Sequence, residues 1–176
     1  MIRSPLIEIQ QATDKDIEVL ALLGRVTYAE SHGHYIKDKT DLKLFLDSAF
    51  SVSSIREHLS DPKIFFNLIT VDHLPVGYIK LVINVQNEHV ASSNNCLMEK
   101  IYVLDEFIPM KIGHKLLEFA EKKAVELQLD TMWLTVYTEN IRAIKFYQKN
   151  GYHHTGEIDF LVNGVNYENH LLTKKL

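Results

Sequence analysis

The stretch NIRAIKFYQKNGY, Asn140 to Tyr152, decides the fold. Asn140 has the short polar side chain that caps a helix start, and Ile141 to Lys149 read as the helix behind it. Just upstream, Thr131 to Tyr137 (TMWLTVY) is β-branched and aromatic and reads as a strand. Downstream, the tail from Tyr152 supplies two strands about a turn at Asn163 and Gly164.

The same strand-then-helix order stands one unit earlier. Leu97 to Leu104 (LMEKIYVL) makes a strand, and Gly113, Leu116, Leu117, Ala120, Ala124 and Leu127 share one face of a helix. Before it, Ile64 to Val71 and Val76 to Val85 form a hairpin about the turn DHLP, with a polar loop from Gln86 to Asn95. The N-terminal third is helical after a first strand at Leu6 to Gln10. Thr13 and Asp16 form a capping box with Asp in place of Glu, and Ile17, Leu20, Ala21, Gly24 and Tyr28 keep helical spacing. Two further helices, Asp41 to Phe50 and Val52 to Leu59, are parted by a serine-rich break and end near Pro62. The predicted order is β, helices, β, β, β, α, β, α, β, β, with no repeat or linker, so residues 1–176 are expected to be a single domain.

Bulk properties narrow the function classes. The chain has 46% hydrophobic and 24% charged residues, which suits a globular protein with a sizeable core. No apolar run approaches the roughly 18 residues of a membrane span, and MIRSPLIEIQQ alternates instead of forming a signal peptide's apolar block, so a cytoplasmic protein is expected. Cys96 is the only cysteine, which excludes an internal disulfide and a thiolate zinc cage. A net charge of −4 argues against broad nucleic-acid binding and favours a cationic partner. His32 and His34 have no third ligand nearby, and His153 and His154 read as strand residues, so no metal is expected.

The opening stretch resembles the N-x-x-A-x-x-F-Y-x-x-x-G-[FY] signature of the GCN5-related N-acetyltransferases (GNAT). Asn140, Ala143, Phe146, Tyr147, Gly151 and Tyr152 match at fixed spacing, with Tyr137 upstream in a V-x-x-x-N setting. EKIYVLDEF is similar to the family's preceding strand. The resemblance implies an α/β fold: a mixed, mostly antiparallel twisted sheet, splayed between LMEKIYVL and TMWLTVY to admit acetyl-CoA and flanked by helices. More narrowly, SAF (Ser48 to Phe50), VGYIKL, EKIYV and the closing TG…LLTKKL are similar to bacterial polyamine acetyltransferases. The implied reaction is transfer of acetyl from acetyl-CoA to a primary amine, most simply spermidine or spermine. Another small amine, a peptide N-terminus, or a non-catalytic CoA sensor or interaction module are the alternatives. Partners beyond the amine, a homodimer being one option, are left open.

One stretch departs from the family. Its cofactor loop, [QR]-x-x-G-x-[GA], aligns with Ile108, Pro109, Met110, Lys111, Ile112 and Gly113, and only the last glycine survives. Pro109 has no N–H to give. Backbone N–H groups from Met110 to His114 and the helix dipole are still expected to hold pyrophosphate. Lys111 either adds a charge-assisted contact, crowds the phosphate, or is a solvated helix residue.

The resemblance assigns the remaining roles. Tyr147 would protonate the departing thiolate; Asn140, beside its capping role, and Ala143 would meet the pantetheine arm, and Lys149 is added to the cofactor set. Ile101, Tyr102 and Val103 would bond the pantetheine amides through their backbone, like an added strand. Glu99 is either a solvent-facing strand residue or, in the acceptor cleft, a general base or an anchor for the substrate ammonium. Some base is needed, since an amine of pKa near 10.4 is only ~0.04% neutral at pH 7, a cost of about 4.6 kcal/mol. Asp105 and Glu106 read as loop solubilisers, and Cys96 has no base partner that would make it a nucleophile.

Overall fold

The chain enters its first helix through the capping box expected at Thr13 and Asp16. The Thr13 N–H donates to Asp16 Oδ2 at 2.8 Å, and Thr13 Oγ1 accepts from the Lys15 N–H at 3.4 Å. A single 3-10 turn, Asp14–Asp16, intervenes before the α-helix proper. The computed structural model describes residues 3–176; Met1 and Ile2, the first two positions of the N-terminal alternation, lie outside the described residues.

In chain order the elements are β1 (Ile7–Gln11), α1 (Ile17–His32), α2 (Lys39–Ala49), α3 (Val52–Ser60), β2 (Ile64–Val71), β3 (Leu74–Ile83) and β4 (Asn95–Val103), then α4 (Ile112–Glu126), β5 (Thr131–Tyr137), α5 (Ile141–Lys149), β6 (His153–Val162) and β7 (Val165–Lys175). The strands form one seven-stranded sheet in the order β1-β2-β3-β4-β5-β7-β6. β1 runs antiparallel to β2, and β7 antiparallel to both β5 and β6, while β4 and β5 are parallel. This is the mixed α/β sheet with flanking helices that the resemblance implies.

The β4/β5 ladder is short. It joins Asn95, Cys96 and Leu97 to Thr131, Met132 and Trp133 and stops there, although β4 continues to Val103 and β5 to Tyr137. β5 stays anchored on its other side, where every residue from Thr131 to Tyr137 pairs with β7.

The β2/β3 connection corrects one expectation. Asp72 (φ 47°) and His73 (φ 68°) both adopt left-handed backbone, which makes a two-residue turn whose twist matches the strands. Leu74 and Pro75 therefore belong to β3 and not to the turn. Proline is tolerated so close to the strand's start, where its missing donor costs least. The turn at Asn163 (φ 47°) and Gly164 (φ 83°) follows the same geometry and is as expected.

The described chain divides into two compact units, one running up to Lys80 and taking in Lys100–Phe119, the other of Leu81–Glu99 with Ala120–Leu176. β3 and β4 each begin in one unit and end in the other. The first unit's core gathers Ile17, Leu20, Ala21 and Leu23 of α1 with Ile55 of α3, Phe66 and Leu68 of β2 and Tyr78 of β3. Ile17, Leu20, Ala21, Gly24 and Tyr28, the α1 residues with helical spacing in the sequence, are all buried, because burying one apolar stripe is what stabilises a surface helix; Leu23 and Thr27 beside them are buried as well. In the second unit Val90, Trp133 and Leu171 cluster, and the Trp133 indole N–H donates to Asn95 Oδ1 at 2.9 Å.

Candidate active site

The segment after β4 is not an open loop. Asp105–Met110 winds as a 3-10 turn, and Lys111 follows in left-handed backbone at φ 58°, ψ 28°. That conformation explains why the family pattern places glycine there: an L side chain in it costs roughly 1–2 kcal/mol. The chain makes the turn regardless, with Lys111 exposed. Of the donors expected between Met110 and His114, Met110 closes the 3-10 turn and two more are already used. The Lys111 N–H donates to the Ile108 carbonyl at 3.0 Å and the His114 N–H to the Lys111 carbonyl at 3.1 Å. Ile112 and Gly113 open α4, where backbone N–H groups precede the first intrahelical acceptor. His114 directs its ring to Glu118 at 3.3 Å, and Pro109 is exposed.

Gly113 is the informative residue. A Cβ built there would meet no heavy atom within 4 Å, so the protein's own packing does not ask for glycine. Gly77 on β3 is the opposite case, since a Cβ there would lie 2.5 Å from the Tyr102 carbonyl oxygen. A glycine the fold does not need, at the positive end of a helix, fits close approach by an anionic group from outside.

In the second unit α5 carries the signature as one capped helix. Asn140 Oδ1 accepts from the Ala143 N–H at 3.2 Å, the N-cap read from the sequence. At the other end Gly151 (φ 87°) donates to the Gln148 carbonyl at 3.1 Å and Tyr152 to the Tyr147 carbonyl at 3.1 Å. These two bonds form the Schellman motif that ends helices in left-handed glycine. The G-[FY] pair of the signature is therefore a helix stop. Tyr147 is 9% exposed, with its ring edge-on to Phe146 at 5.3 Å and to Tyr152 at 5.8 Å. Burial pushes its phenol up, so it is protonated at neutral pH. No hydrogen bond joins its hydroxyl to another described residue. Tyr152 is occupied structurally, its hydroxyl donating to Glu121 at 3.2 Å while Lys174 binds the same carboxylate at 2.7 Å. Ala143 is half-buried, and Lys149 is exposed in the last turn of α5, where a cation also suits the dipole.

On β4, Glu99 faces solvent between buried Met98 and half-buried Lys100. Ile101, Tyr102 and Val103 lie beyond Leu97, the last residue that β5 pairs, so that side of their backbone has no β5 ladder.

A model of the acetyltransferase (GNAT) family matches residues 28–152. The chain belongs to that family. It is 31% identical over 173 residues to an uncharacterised N-acetyltransferase of the pepI 3′ region of Lactobacillus delbrueckii subsp. lactis, covering 97% of this chain and 98% of that one. Among solved structures it resembles the PaiA N-acetyltransferase from Thermoplasma acidophilum, solved with coenzyme A, at 23% identity and TM-score 0.77, covering 97% and 99% of the two chains. A GCN5-related N-acetyltransferase from Rhodopseudomonas palustris follows at 16% identity and TM-score 0.76, covering 100% and 98%. As a GNAT protein, the chain is an acetyl-CoA-dependent N-acetyltransferase.

Two other sequence candidates resolve in this family frame. Cys96 is 0% exposed and burial pushes its thiol up to about 12, which leaves no thiolate for a covalent intermediate. His32 stacks on Tyr28 at 4.7 Å, stands edge-on to Tyr102 at 5.8 Å and shares a hydrogen bond with Ser31 at 2.7 Å. Its ring is a packing element of the first unit, while His34 packs on Tyr35 at 3.8 Å. The left-handed state of Lys111 was not read from the sequence; the glycine it replaces in the family pattern was the available signal.

Proposed function

We propose that this GNAT enzyme acetylates a primary amine of a polyamine such as spermidine or spermine. The observation that carries the cosubstrate half is Gly113, where a Cβ would meet no heavy atom within 4 Å, two residues after Lys111, which is held in left-handed backbone. The acceptor half rests on the similarity of SAF, VGYIKL, EKIYV and TG…LLTKKL to polyamine acetyltransferases and on the net charge of −4. An acidic protein attracts a polycation over a longer range than a neutral one does.

In this reading Ile112 and Gly113 offer backbone N–H groups to pyrophosphate, with Pro109, Met110, Lys111 and His114 bounding the turn. Ile101, Tyr102 and Val103 bond pantetheine by their backbone, and Asn140, Ala143 and Lys149 complete the set. The neutral amine attacks the thioester carbonyl, the C–S bond breaks, and the nitrogen's surplus proton leaves through water to Glu99. Tyr147, protonated because it is buried, gives its proton to the thiolate and is reprotonated from solvent. The whole chain acts as one catalytic domain, working in the cytoplasm.

Initial rates with spermidine, spermine and a lysine-containing peptide, compared at one pH, test the acceptor. The polyamines should turn over faster, with a KM that rises with salt as screening removes the attraction. Equal or better turnover of the peptide would discard the polyamine and leave the acetyl transfer standing.

A further inference from the structure

His154, Glu157 and His170 meet on the β6/β7 hairpin in a way that strand geometry alone would forbid. Residues three apart in a regular strand point to opposite faces. Here the register runs His154↔Leu172, Gly156↔Leu171, Glu157↔His170, so β6 spends one more residue than β7 over this span. The extra residue is a β-bulge about Thr155, and it turns His154 onto the face that carries Glu157. Glu157 and His170 are direct cross-strand partners on that face.

The three side chains converge through their polar atoms. His154 Nε2 lies 2.9 Å from Glu157 Oε1, and His170 Nδ1 lies 2.9 Å from both carboxylate oxygens. One donor atom from each residue falls within 4.8 Å of the others, and no second trio of this kind occurs among the described residues. All three side chains remain partly exposed, at 48%, 45% and 30%, so an ion from solvent can reach them. Two residues further along the same face stands the directly paired Asp159 and Glu168, whose carboxylates add negative potential.

We propose that His154, Glu157 and His170 form a binding site for a divalent transition-metal ion, with zinc the best fit. Two imidazole nitrogens and a carboxylate are the donor set that zinc takes with water in the fourth position. Tetrahedral bonds of 2.0–2.1 Å place ligand atoms about 3.3 Å apart, so the His–Glu contacts need only relax by a few tenths of an ångström as metal replaces the shared protons. The ion pins β6 to β7 at the bulge, where the ladder is interrupted. The site lies within the second unit and is independent of the acceptor assignment.

Calorimetric titration of the metal-free full-length chain, carrying no histidine tag, with zinc near neutral pH tests this. The expected result is one ion per chain, with proton release, and a tetrahedral visible spectrum when cobalt is used instead. His154→Asn and His170→Asn should each weaken zinc binding by more than about tenfold, since loss of a ligand exceeds the 10- to 100-fold effect of losing a residue that merely orients one. Should either fail to fold by circular dichroism, Glu157→Gln, which keeps the side-chain volume, carries the same expectation. Absence of stoichiometric zinc binding, or affinity unchanged in the folded variants, would overturn the proposal and leave a hydrogen-bonded trio only.

Discussion

Replacing Gly113 by alanine separates what the fold asks of this position from what a ligand asks. The added methyl meets no heavy atom within 4 Å, so it brings no steric cost to the protein. Alanine in a helix is favoured over glycine by about 0.5–1 kcal/mol, and the second residue of α4 should realise the lower end. For a chain of this length about 1 kcal/mol moves Tm by 2–4 °C, so scanning calorimetry should show a rise of roughly 1–2 °C. Acetyl-CoA should respond in the opposite sense. The methyl occupies the space through which pyrophosphate would approach the backbone, and one lost hydrogen bond to a charged group costs about 1.5–3 kcal/mol. Isothermal titration should then show affinity falling roughly 10- to 100-fold. Gly77→Ala is the control: a Cβ 2.5 Å from the Tyr102 carbonyl oxygen should lower Tm. An alanine at 113 that binds acetyl-CoA within about threefold of wild type would refute the assignment of this turn to the phosphates.

Other expectations follow from the same geometry. Lys111→Gly relieves the left-handed strain but loosens the unfolded chain, so stability should change by less than about 1 kcal/mol and acetyl-CoA affinity by less than about tenfold; complete loss of binding would make the lysine ammonium the clamp. Tyr147→Phe keeps the contacts to Phe146 and Tyr152 and deletes a hydroxyl that bonds no described residue, so Tm should hold while kcat falls by about 100-fold. A wild-type kcat would reduce Tyr147 to packing. The His32 imidazole is held down to about 4, first by burial and then by the charge of His34. A folded-state value below the ordinary 6.5 means the unfolded chain binds more protons between the two, so this contribution is full above pH 6.5 and is lost as pH falls toward 4. It amounts to at most roughly 3 kcal/mol, and His32→Phe should flatten the fall of Tm across that window. An unchanged slope would assign the acid sensitivity to other groups.

Legibility in the sequence followed the range of the forces involved. The strands Ile64–Val71 and Thr131–Tyr137 and the helix Ile141–Lys149 have the boundaries that composition and spacing predict, because punctuation by turn residues, Asn140 and Gly151 is local. The capping box at Thr13 was legible for the same reason. The DHLP turn was read too long because two left-handed residues suffice, and proline only weakly disfavours the start of a strand. At Lys111 local preference and structure disagree: its neighbours hold it where glycine would sit, and only the family pattern hinted at it. The meeting of His154 with Glu157 is invisible in the sequence, since it depends on a bulge whose existence is decided by the pairing of His154 with Leu172 and of Gly156 with Leu171 on another strand. Tyr147 is nominated by the resemblance and Glu99 by its place on the LMEKIYVL strand and the need for a base; the structure adds their surroundings, a buried phenol and an exposed carboxylate.

The burial of Cys96 has a practical consequence at the bench. Acetyl transfer liberates one thiol per turnover, that of coenzyme A, and a disulfide dye can count it continuously if the enzyme adds no thiol of its own. With a single cysteine, fully enclosed and with its proton retained up to about pH 12, the protein is silent toward such a reagent in the folded state. Colour beyond the CoA released would instead report chains that have unfolded, so one cuvette reads both turnover and the integrity of the enzyme.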